Sequence, residues 1–282
     1  MTKLTAKQKI QKLILDKLDE GIVPWRVNWK VGDQRPINFA TKKPYTGANF
    51  WLLGLYGGSR YWLGLKQANQ LGGKIKKGTP GAPIIMPLVK QEDVLNAEGK
   101  AIKRDRVIGY RCRYVWNLAN IEGIELDSGI EEDAKERVEA SEIVRGYKDR
   151  PRILHDGTSP AYSPKSDVVF MPRASEFCDE KFFYSTMFHE LGHSTGHEKR
   201  LSRKGVVDPQ KFGNHEYAVE ELVAEFCSAY LSSVAGFENE VFENNAAYIQ
   251  SWHKIVQNNP DIVLRAAGQG ETAASYILGE SS

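Results

Sequence analysis

The chain has 282 residues, of which 41% are hydrophobic and 26% are charged, a composition that excludes a disordered or fibrous protein. It contains no apolar run of the roughly 18 residues that a membrane span requires, and its N-terminus lacks the apolar core of a secretory signal. Its three cysteines lie far apart, which argues against a disulfide framework and a thiolate zinc site, so we expect a cytoplasmic protein with no membrane association.

Charge is divided unevenly along the chain. Residues 1–121 hold 22 Lys and Arg against 8 Asp and Glu, a net charge of +14, whereas residues 122–282 hold 16 basic and 28 acidic residues, a net charge of −12. Such asymmetry indicates two domains with different partners, and a strongly basic domain is typical of proteins that bind a polyanion such as nucleic acid. All six histidines lie in the acidic half.

The first half is predicted to be a small basic α+β domain covering residues 1–121. Apolar residues at helical spacing predict a helix over residues 5–20, which ends at Gly21. After a turn-rich stretch, the patterns predict a helix over residues 62–71, a basic turn leading into a strand, a charged loop over residues 90–106 and a strand over residues 107–118.

The second half is predicted to follow an acidic, glycine-containing linker at residues 122–135 and to cover residues 136–282. Short strands are expected in the segments RILHDG and PAYSPKSDVVFMP. Apolar periodicity predicts helices over residues 131–147, 181–195, 215–235 and 242–258.

The predicted helix over residues 181–195 contains the sequence HELGH, formed by His189, Glu190 and His193 with the two residues between them. Positions i and i+4 of a helix lie on one face, so the two imidazoles can bind the same cation. In this HExxH pattern two neutral histidines hold zinc, and the glutamate takes a proton from a water that zinc has acidified. The motif therefore predicts one divalent metal, Zn²⁺ with Mn²⁺ as the alternative, and Glu190 as the catalytic base.

A third protein ligand is needed if a fourth position is to stay open for water. The favoured candidate is Glu221 in the EELVAE run, since a carboxylate on a second helix is the gluzincin arrangement. Glu225, one turn later, is then expected to accept the N–H of His189. The alternative third ligands are Glu220, His197 and Asp208. An oxyanion donor is also required, and the sequence does not choose among His215, Tyr217 and His197.

Basic and aromatic residues alternate through the first half, which contains five of the six tryptophans. Single-stranded nucleic acid is bound by cations along its backbone and by aromatic side chains that stack on its bases, whereas a duplex reader more often carries a recognition helix. The pattern favours a single-strand binder. The candidate nucleic-acid-binding residues are Trp25, Arg26, Lys42, Lys43, Lys74, Lys76, Lys77, Arg111 and Arg113.

Several longer segments resemble the plasmid antirestriction family of ArdC type, whose N-terminal domain is also found in some conjugative-plasmid primases. In the first half these segments are GIVPWRVNW, PINFATKKPYTGANFWLL, QANQLGGKIKKGTPG and VWNLANIEG. In the second half they are AYSPKSDVVFMP, FHELGHSTGHEKRL and YAVEELVAEFCSAYL. The resemblance covers roughly residues 5–235 in the same order.

The resemblance implies a domain that binds single-stranded DNA, followed by a zincin-like metallopeptidase domain, and a role in protecting incoming plasmid or phage DNA from host restriction. By position it implies that His189, His193 and Glu221 are metal ligands and Glu190 the base. It also implies that the strand at Asp167–Met171 is the edge strand along which zincins pair with an extended peptide.

Two other functions are consistent with the sequence. In one, the protein is a zinc endopeptidase that cleaves a DNA-associated protein or peptide, and the basic domain only delivers it to DNA. In the other, the metal serves only to stabilise the fold.

Overall fold

The computed structural model describes residues 4–26, 35–95, 100–125, 138–155, 159–208, 215–237 and 246–280. Within these ranges helices and short sheets are mixed, in agreement with the predicted α+β class. None of the helices formed by the described residues combines the length and apolar character needed to cross a bilayer.

Among its described residues, the first half contains three helices and two small sheets. Its elements in chain order are α1 (Ala6–Asp19), a 3-10 turn (Pro24–Arg26), β1 (Ile37–Asn38), α2 (Ala48–Gly54), β2 (Tyr61–Gly64), α3 (Leu65–Gln70), β3 (Lys74–Ile75), β4 (Ala82–Leu95), β5 (Ala101–Asn117), a 3-10 turn (Leu118–Asn120) and β6 (Ile121–Glu122). One sheet has the order β1-β2-β5-β4, and the other pairs β3 with β6. The predicted first helix is confirmed, and a capping box between Thr5 and Gln8 fixes its start.

Two predictions for the first half are wrong. The helix predicted over residues 62–71 begins only at Leu65, because Trp62 and Leu63 lie in β2 and pair with β5. The charged loop predicted over residues 90–106 is largely strand, since β4 and β5 form one long antiparallel hairpin. Exposed strands need no alternation of apolar and polar residues, so the usual sequence pattern of a strand is missing there.

The second half contains six helices and a three-stranded sheet among its described residues. Its elements are α4 (Ala140–Gly146), β7 (Arg152–Leu154), β8 (Ala161–Ser163), β9 (Val168–Phe170), a 3-10 turn (Ala174–Glu176), α5 (Glu180–Ser194), α6 (Lys204–Val207), α7 (His215–Val234), α8 (Ala246–Asn258) and α9 (Ile262–Leu278). The helices predicted over residues 181–195, 215–235 and 242–258 correspond to α5, α7 and α8. Of the helix predicted over residues 131–147, the described part is α4.

The order of the second-half sheet corrects one expectation. The strand at Asp167–Met171 was expected at the sheet edge, but β9 lies in the middle, with β7 parallel on one side and β8 antiparallel on the other. Of the three described strands, β8 is therefore the antiparallel one at an edge, and it contacts α5.

A close approach between α5 and α7 brings their polar residues together. A Cβ atom added at Gly192 would lie 3.2 Å from the Cα of Ala224 and 3.2 Å from the Cβ of Cys227. That is tighter than ordinary van der Waals contact, so the glycine inside HELGH allows the two helices to pack this closely.

Both halves of the chain contribute to one hydrophobic core. Ile10, Ile14 and Leu18 of α1 belong to the same cluster of buried side chains as residues of α5, α7, α8 and α9. Trp25 has no exposed surface, and its ring lies 5.8 Å from that of Phe226 and 5.4 Å from that of Trp252, measured between centroids. The N-terminal helix is thus part of the packing that supports α7.

Polar contacts join α1 to the last two helices as well. The side-chain amide of Gln11 donates to the backbone carbonyls of Val256 and Gln257, each at 2.9 Å. Lys7 forms an ion pair with Asp261 at 2.9 Å. The helix α9, for which the sequence predicted no element, is buried along much of its length and packs against α7.

The predicted domain limits of residues 1–121, 122–135 and 136–282 remain predictions. Glu122, assigned to the linker, belongs to β6 and pairs with Lys74. Residues 126–135, which make up most of the predicted linker, lie outside the described residues.

Candidate metal centre

Two helices supply the three predicted metal ligands. His189 and His193 lie one turn apart on α5, and Glu221 lies on α7. The Nε2 atoms of the two histidines are 3.1 Å apart. The carboxylate oxygens of Glu221 lie 3.7 Å from each Nε2 atom. Among the described residues these three form the one group whose ligand atoms all lie within 4.8 Å of one another.

These distances fit a divalent cation. Tetrahedral ligands about 2.0–2.1 Å from zinc stand about 3.3 Å from one another, close to the separations observed here. His193 has its Nδ1 3.1 Å from Glu220, and a carboxylate can only accept there, so Nδ1 carries a proton and Nε2 is the nitrogen that faces His189 and Glu221. Two ring nitrogens and a carboxylate therefore converge with electron pairs that a cation would satisfy.

Glu220, which is buried on α7, contacts one ring of the candidate centre. Besides contacting His193, its carboxylate accepts two hydrogen bonds from Arg203, at 2.9 Å from Nε and 2.6 Å from Nη2. Burial alone would raise the pKa of Glu220, but the bonds from Arg203 and His193 hold it below its usual range. From the sequence, Glu220 was an alternative third ligand. In the structure it contacts Nδ1 of His193, the ring nitrogen that faces away from Glu221. Carboxylates commonly hold metal-binding histidines in this way.

The guanidinium of Arg203 ties this carboxylate to the end of the metal helix. Its Nη1 donates to the hydroxyl of Thr195 at 2.5 Å, and its Nη2 also donates to the backbone carbonyl of Gly192 at 2.8 Å. Arg203 and Glu220 are both buried. Arg203 was not among the predicted site residues, and no local pattern indicates it, because it lies in an irregular segment after α5.

The carboxylates around His189 favour a positive charge at the centre. Burial alone would lower the pKa of His189, but its contact with Glu221 and the charges of Glu225 and Glu190 raise it to about 9. Burial alone would raise the pKa of Glu221, and the two histidines lower it to about 2. Without a metal ion, a proton on His189 supplies the cation that these carboxylates stabilise.

Two further groups lie beside the ligands. Glu190 is buried and acts electrostatically on both His189 and Tyr217. Tyr217, at the start of α7, forms a hydrogen bond with Glu221; burial, followed by the charge of Glu221, raises its pKa to about 12. Its hydroxyl is therefore protonated at neutral pH and able to donate. Of the three oxyanion donors considered in the sequence, Tyr217 is the one in contact with a metal-ligand candidate.

The remaining candidate site residues, Glu225, His197 and Asp208, have other neighbours or lie at the surface. Glu225 accepts a hydrogen bond from the hydroxyl of Tyr248 at 2.9 Å, and its charge acts on His189. His197 is buried and accepts from the backbone N–H of Lys199. Asp208 is exposed at the end of α6. His197 and Asp208 are not in the group of convergent ligand atoms found among the described residues.

The nucleic-acid-binding candidates of the first half lie in different surroundings. Trp25 is fully buried against Phe226, so its assignment as a base-stacking residue is wrong: the ring has no free face. Arg26 closes the first 3-10 turn, and its side chain lies outside the described part. The candidates at the surface are Lys42, Lys43, Lys74, Lys76, Lys77, Arg111 and Arg113.

Comparison with protein families matches both halves. Residues 5–116 match the N-terminal domain of the anti-restriction factor ArdC, and residues 139–269 match the zincin-like metallopeptidase family. Two crystal structures of the antirestriction ArdC protein from plasmid R388 share the fold. The metal-free structure has a TM-score of 0.71 at 23% identity, over 98% of this chain and 99% of the other. The Mn(II)-bound structure has a TM-score of 0.70 at 24% identity, over 97% of both chains.

Curated relatives include longer proteins. Two Escherichia coli proteins named DNA primase TraC are each 31% identical, over 95% and 96% of this chain. The chain spans 19% and 27% of their lengths. The Sinorhizobium fredii protein y4eC is 25% identical over 98% of this chain and 92% of its own length. The predicted fold class is confirmed, and the chain combines two known domain families: residues 5–116 belong to the ArdC N-terminal domain family and residues 139–269 to the zincin-like metallopeptidase family.

Proposed function

We propose that this protein binds single-stranded DNA through its basic first half and protects incoming plasmid or phage DNA from host restriction. The observation that carries the proposal is the segregation of charge, +14 in residues 1–121 against −12 in the remainder. A surface of that charge attracts nucleic acid through release of the counterions around the phosphates. The relatives named DNA primase support a DNA partner.

A single strand is favoured over a duplex by the elements that carry the basic residues. Lys42 and Lys43 follow the turn at residues 39–41, Lys74, Lys76 and Lys77 lie in and after the short strand β3, and Arg111 and Arg113 lie on β5. Reading of a duplex commonly uses a helix in the major groove. The exposed cations on turns and strands instead suit the irregular backbone of an unpaired strand.

The full chain should bind a single-stranded oligonucleotide more tightly than the matching duplex, with strong salt dependence. For four phosphate contacts, the logarithm of the binding constant should fall with a slope of about −3 against the logarithm of salt concentration. Fluorescence anisotropy over a salt series measures both quantities. The double variant Lys42→Glu and Lys43→Glu should bind more weakly, and the matched variant Lys165→Glu and Lys181→Glu in the acidic half should not. Equal binding of single strand and duplex would contradict the proposal.

We also propose that the metal centre holds one Zn²⁺ on His189, His193 and Glu221. Mn²⁺ is the alternative, because one ArdC relative is described as Mn(II)-bound. Such an ion supplies Lewis acidity toward water and a carbonyl oxygen. Glu190 would accept a proton from water, Glu225 would hold the N–H of His189, and the protonated hydroxyl of Tyr217 would donate to a substrate oxygen.

The free thiols support a cytoplasmic setting for these reactions. Cys112, Cys178 and Cys227 are all unpaired with one another, and Cys227 is buried between α5 and α7. A protein whose thiols remain reduced and whose partner is incoming DNA would act in the cytoplasm. This localisation is part of the proposal and is tested by cell fractionation.

A second candidate function is a zinc endopeptidase that acts on a DNA-associated protein. The presence of Glu190 and Tyr217 beside the ligands favours it, since both groups would serve hydrolysis. If DNA coating is the protective step, Glu190→Gln should retain metal content, single-strand binding and protection of transferred DNA, because none of these needs a base. The variant and the unmodified protein are compared by the yield of plasmid conjugation into a restricting host, and their bound metal is measured in parallel.

The opposite result would favour the peptidase. Loss of protection in Glu190→Gln, with metal content and DNA binding intact, would contradict protection by coating. The matched control is Glu198→Gln, which changes an exposed carboxylate just after α5. If metal removal instead unfolds the protein while Glu190→Gln has no effect, the metal has a structural role.

A further inference from the structure

The hairpin of β4 and β5 extends beyond the rest of the first half as a two-stranded arm. The arm is defined here as residues 84–95 and 101–113, and residues 96–99 between its strands lie outside the described residues. Met86, Val89 and Ile102 are each more than 45% exposed, so neither strand is covered along most of the arm. A pair of strands that is exposed in this way offers two faces for an interaction.

A β-bulge interrupts the pairing of the arm at one position. Leu88 pairs with Gly109, but the next residue, Val89, pairs with Val107, so Ile108 is the additional residue on β5. Ile108 is 61% exposed. Side chains alternate between the faces of a strand, and an unpaired residue therefore changes which residues of β5 share a face on its two sides.

This change places four arginines on one face. Before the bulge, Arg113 and Arg111 pair with Ile84 and Met86, and beyond it Arg106 and Arg104 pair with Lys90 and Glu92. The partners on β4 are all even-numbered and β4 has no bulge, so they share a face, as do the arginines opposite them. We call this the arginine face, formed by Arg104, Arg106, Arg111, Arg113 and Lys90. In a ladder without the bulge, Arg104 and Arg106 would point to the opposite side.

The opposite face has a different charge and is partly covered. Beyond the bulge its charged residues are Asp93, Asp105 and Lys103. Nearer the base, Lys7 and Lys9 of α1 lie over the rings of Tyr110 and Tyr114. The arginine face carries five cations and one acid, Glu92, which lies 3.4 Å from Arg106. All five cations are exposed.

We propose that the arginine face of the arm binds the phosphate backbone of a DNA strand, and that the bulge at Ile108 serves to align it. This inference rests on the proposed function. Arg113 and Arg104 stand opposite β4 residues eight positions apart, so the face is about 27 Å long. Guanidinium groups bind phosphate oxygens in bidentate geometry, and a row of them along an extended strand matches a linear polyanion.

A matched pair of variants tests the alignment without changing the net charge. Deleting Ile108 removes the bulge and leaves every other pair in place, so the arginines keep their common face. Inserting one valine between Leu88 and Val89 gives Ile108 a partner, which also removes the bulge but turns the outer part of the arm over. Arg104, Arg106 and Lys90 then leave the arginine face. Circular dichroism and melting temperature check that both variants fold.

The deletion variant should bind a single-stranded oligonucleotide as the unmodified protein does. In the insertion variant three cations leave the arginine face and Lys103 enters it, a net loss of two phosphate contacts, which flattens the salt slope by about 1.4 and weakens binding about 25-fold at 0.1 M salt. The single reversals Arg104→Glu and Lys103→Glu change neighbouring residues on opposite faces by the same charge. We expect about tenfold weaker binding from the first and less than threefold from the second.

The outcomes separate this inference from the proposed function. If the unmodified protein does not bind the oligonucleotide, the proposed function fails. If it binds, but the insertion and deletion variants bind equally well and the two reversals have equal effects, the arm does not hold DNA and the inference is overturned. A last outcome concerns a poly-glutamate peptide used as a probe. If the insertion variant and Arg104→Glu weaken binding of this peptide but leave oligonucleotide binding unchanged, the arginine face binds an acidic protein, and the inference is overturned.

Discussion

Trp25→Ala should destabilise the whole chain by about 3–5 kcal/mol, the usual cost of removing a fully buried tryptophan. Trp25 comes from the basic half, yet it is packed between Phe226 of α7 and Trp252 of α8. The cavity would therefore open beneath the helix that carries Glu221. Chemical denaturation followed by both fluorescence and circular dichroism should show one transition, shifted as a unit.

The matched control is Tyr114→Ala, which removes an aromatic side chain from the same half at a position 46% exposed. Its effect on the free energy of unfolding should stay below about 1 kcal/mol, because little surface is buried there. Two separate transitions, of which Trp25→Ala shifts only the first, would show that the halves fold independently and would contradict the shared core.

The parts of the fold that local pattern determines could be predicted. The period of apolar residues in α1, the Thr5 cap and the HELGH spacing all act within a few residues, so the sequence shows them directly. The third ligand had to be chosen between two adjacent glutamates, Glu220 and Glu221, and the sequence favoured Glu221. In the structure the carboxylate of Glu221 lies close to both histidines, and its assignment as a metal ligand stays a prediction.

The parts that depend on tertiary packing could not be predicted. Trp25 lies beside arginine in a basic segment, which suggested a base-stacking ring, but only the position of α7 and α8 shows that it is buried. Charged residues in β4 and β5 suggested a loop, because strand pairing is a property of two segments and not of one. Arg203 is 17 residues from Glu220 and carries no motif.

His193→Ala should weaken Zn²⁺ binding by more than about 100-fold, beyond the 10–100-fold typical for loss of a group that only orients a ligand. The alanine removes one of three ligands but leaves Glu220 paired with Arg203, so the fold around the site should persist. A thousandfold excess of metal over its dissociation constant stabilises a protein by about 4 kcal/mol. That metal-dependent stabilisation should disappear in the variant. Calorimetric titration and thermal melts with and without Zn²⁺ measure both effects, and His253→Ala, whose ring pairs with Asp19, is the matched control.

Substitutions at the two adjacent glutamates of α7 then separate ligand from orienting group. Glu221→Gln removes the anionic ligand and should behave like His193→Ala in the zinc titration. Glu220→Gln should still bind one zinc ion per chain, about 10–100-fold more weakly, because it only loosens the hold on Nδ1 of His193. It should also destabilise the metal-free protein by about 3–5 kcal/mol, since Arg203 loses its buried partner. If Glu221→Gln retains tight zinc binding while Glu220→Gln abolishes it, the carboxylate that completes the centre is Glu220, and the geometry of the two helices must differ when metal is bound.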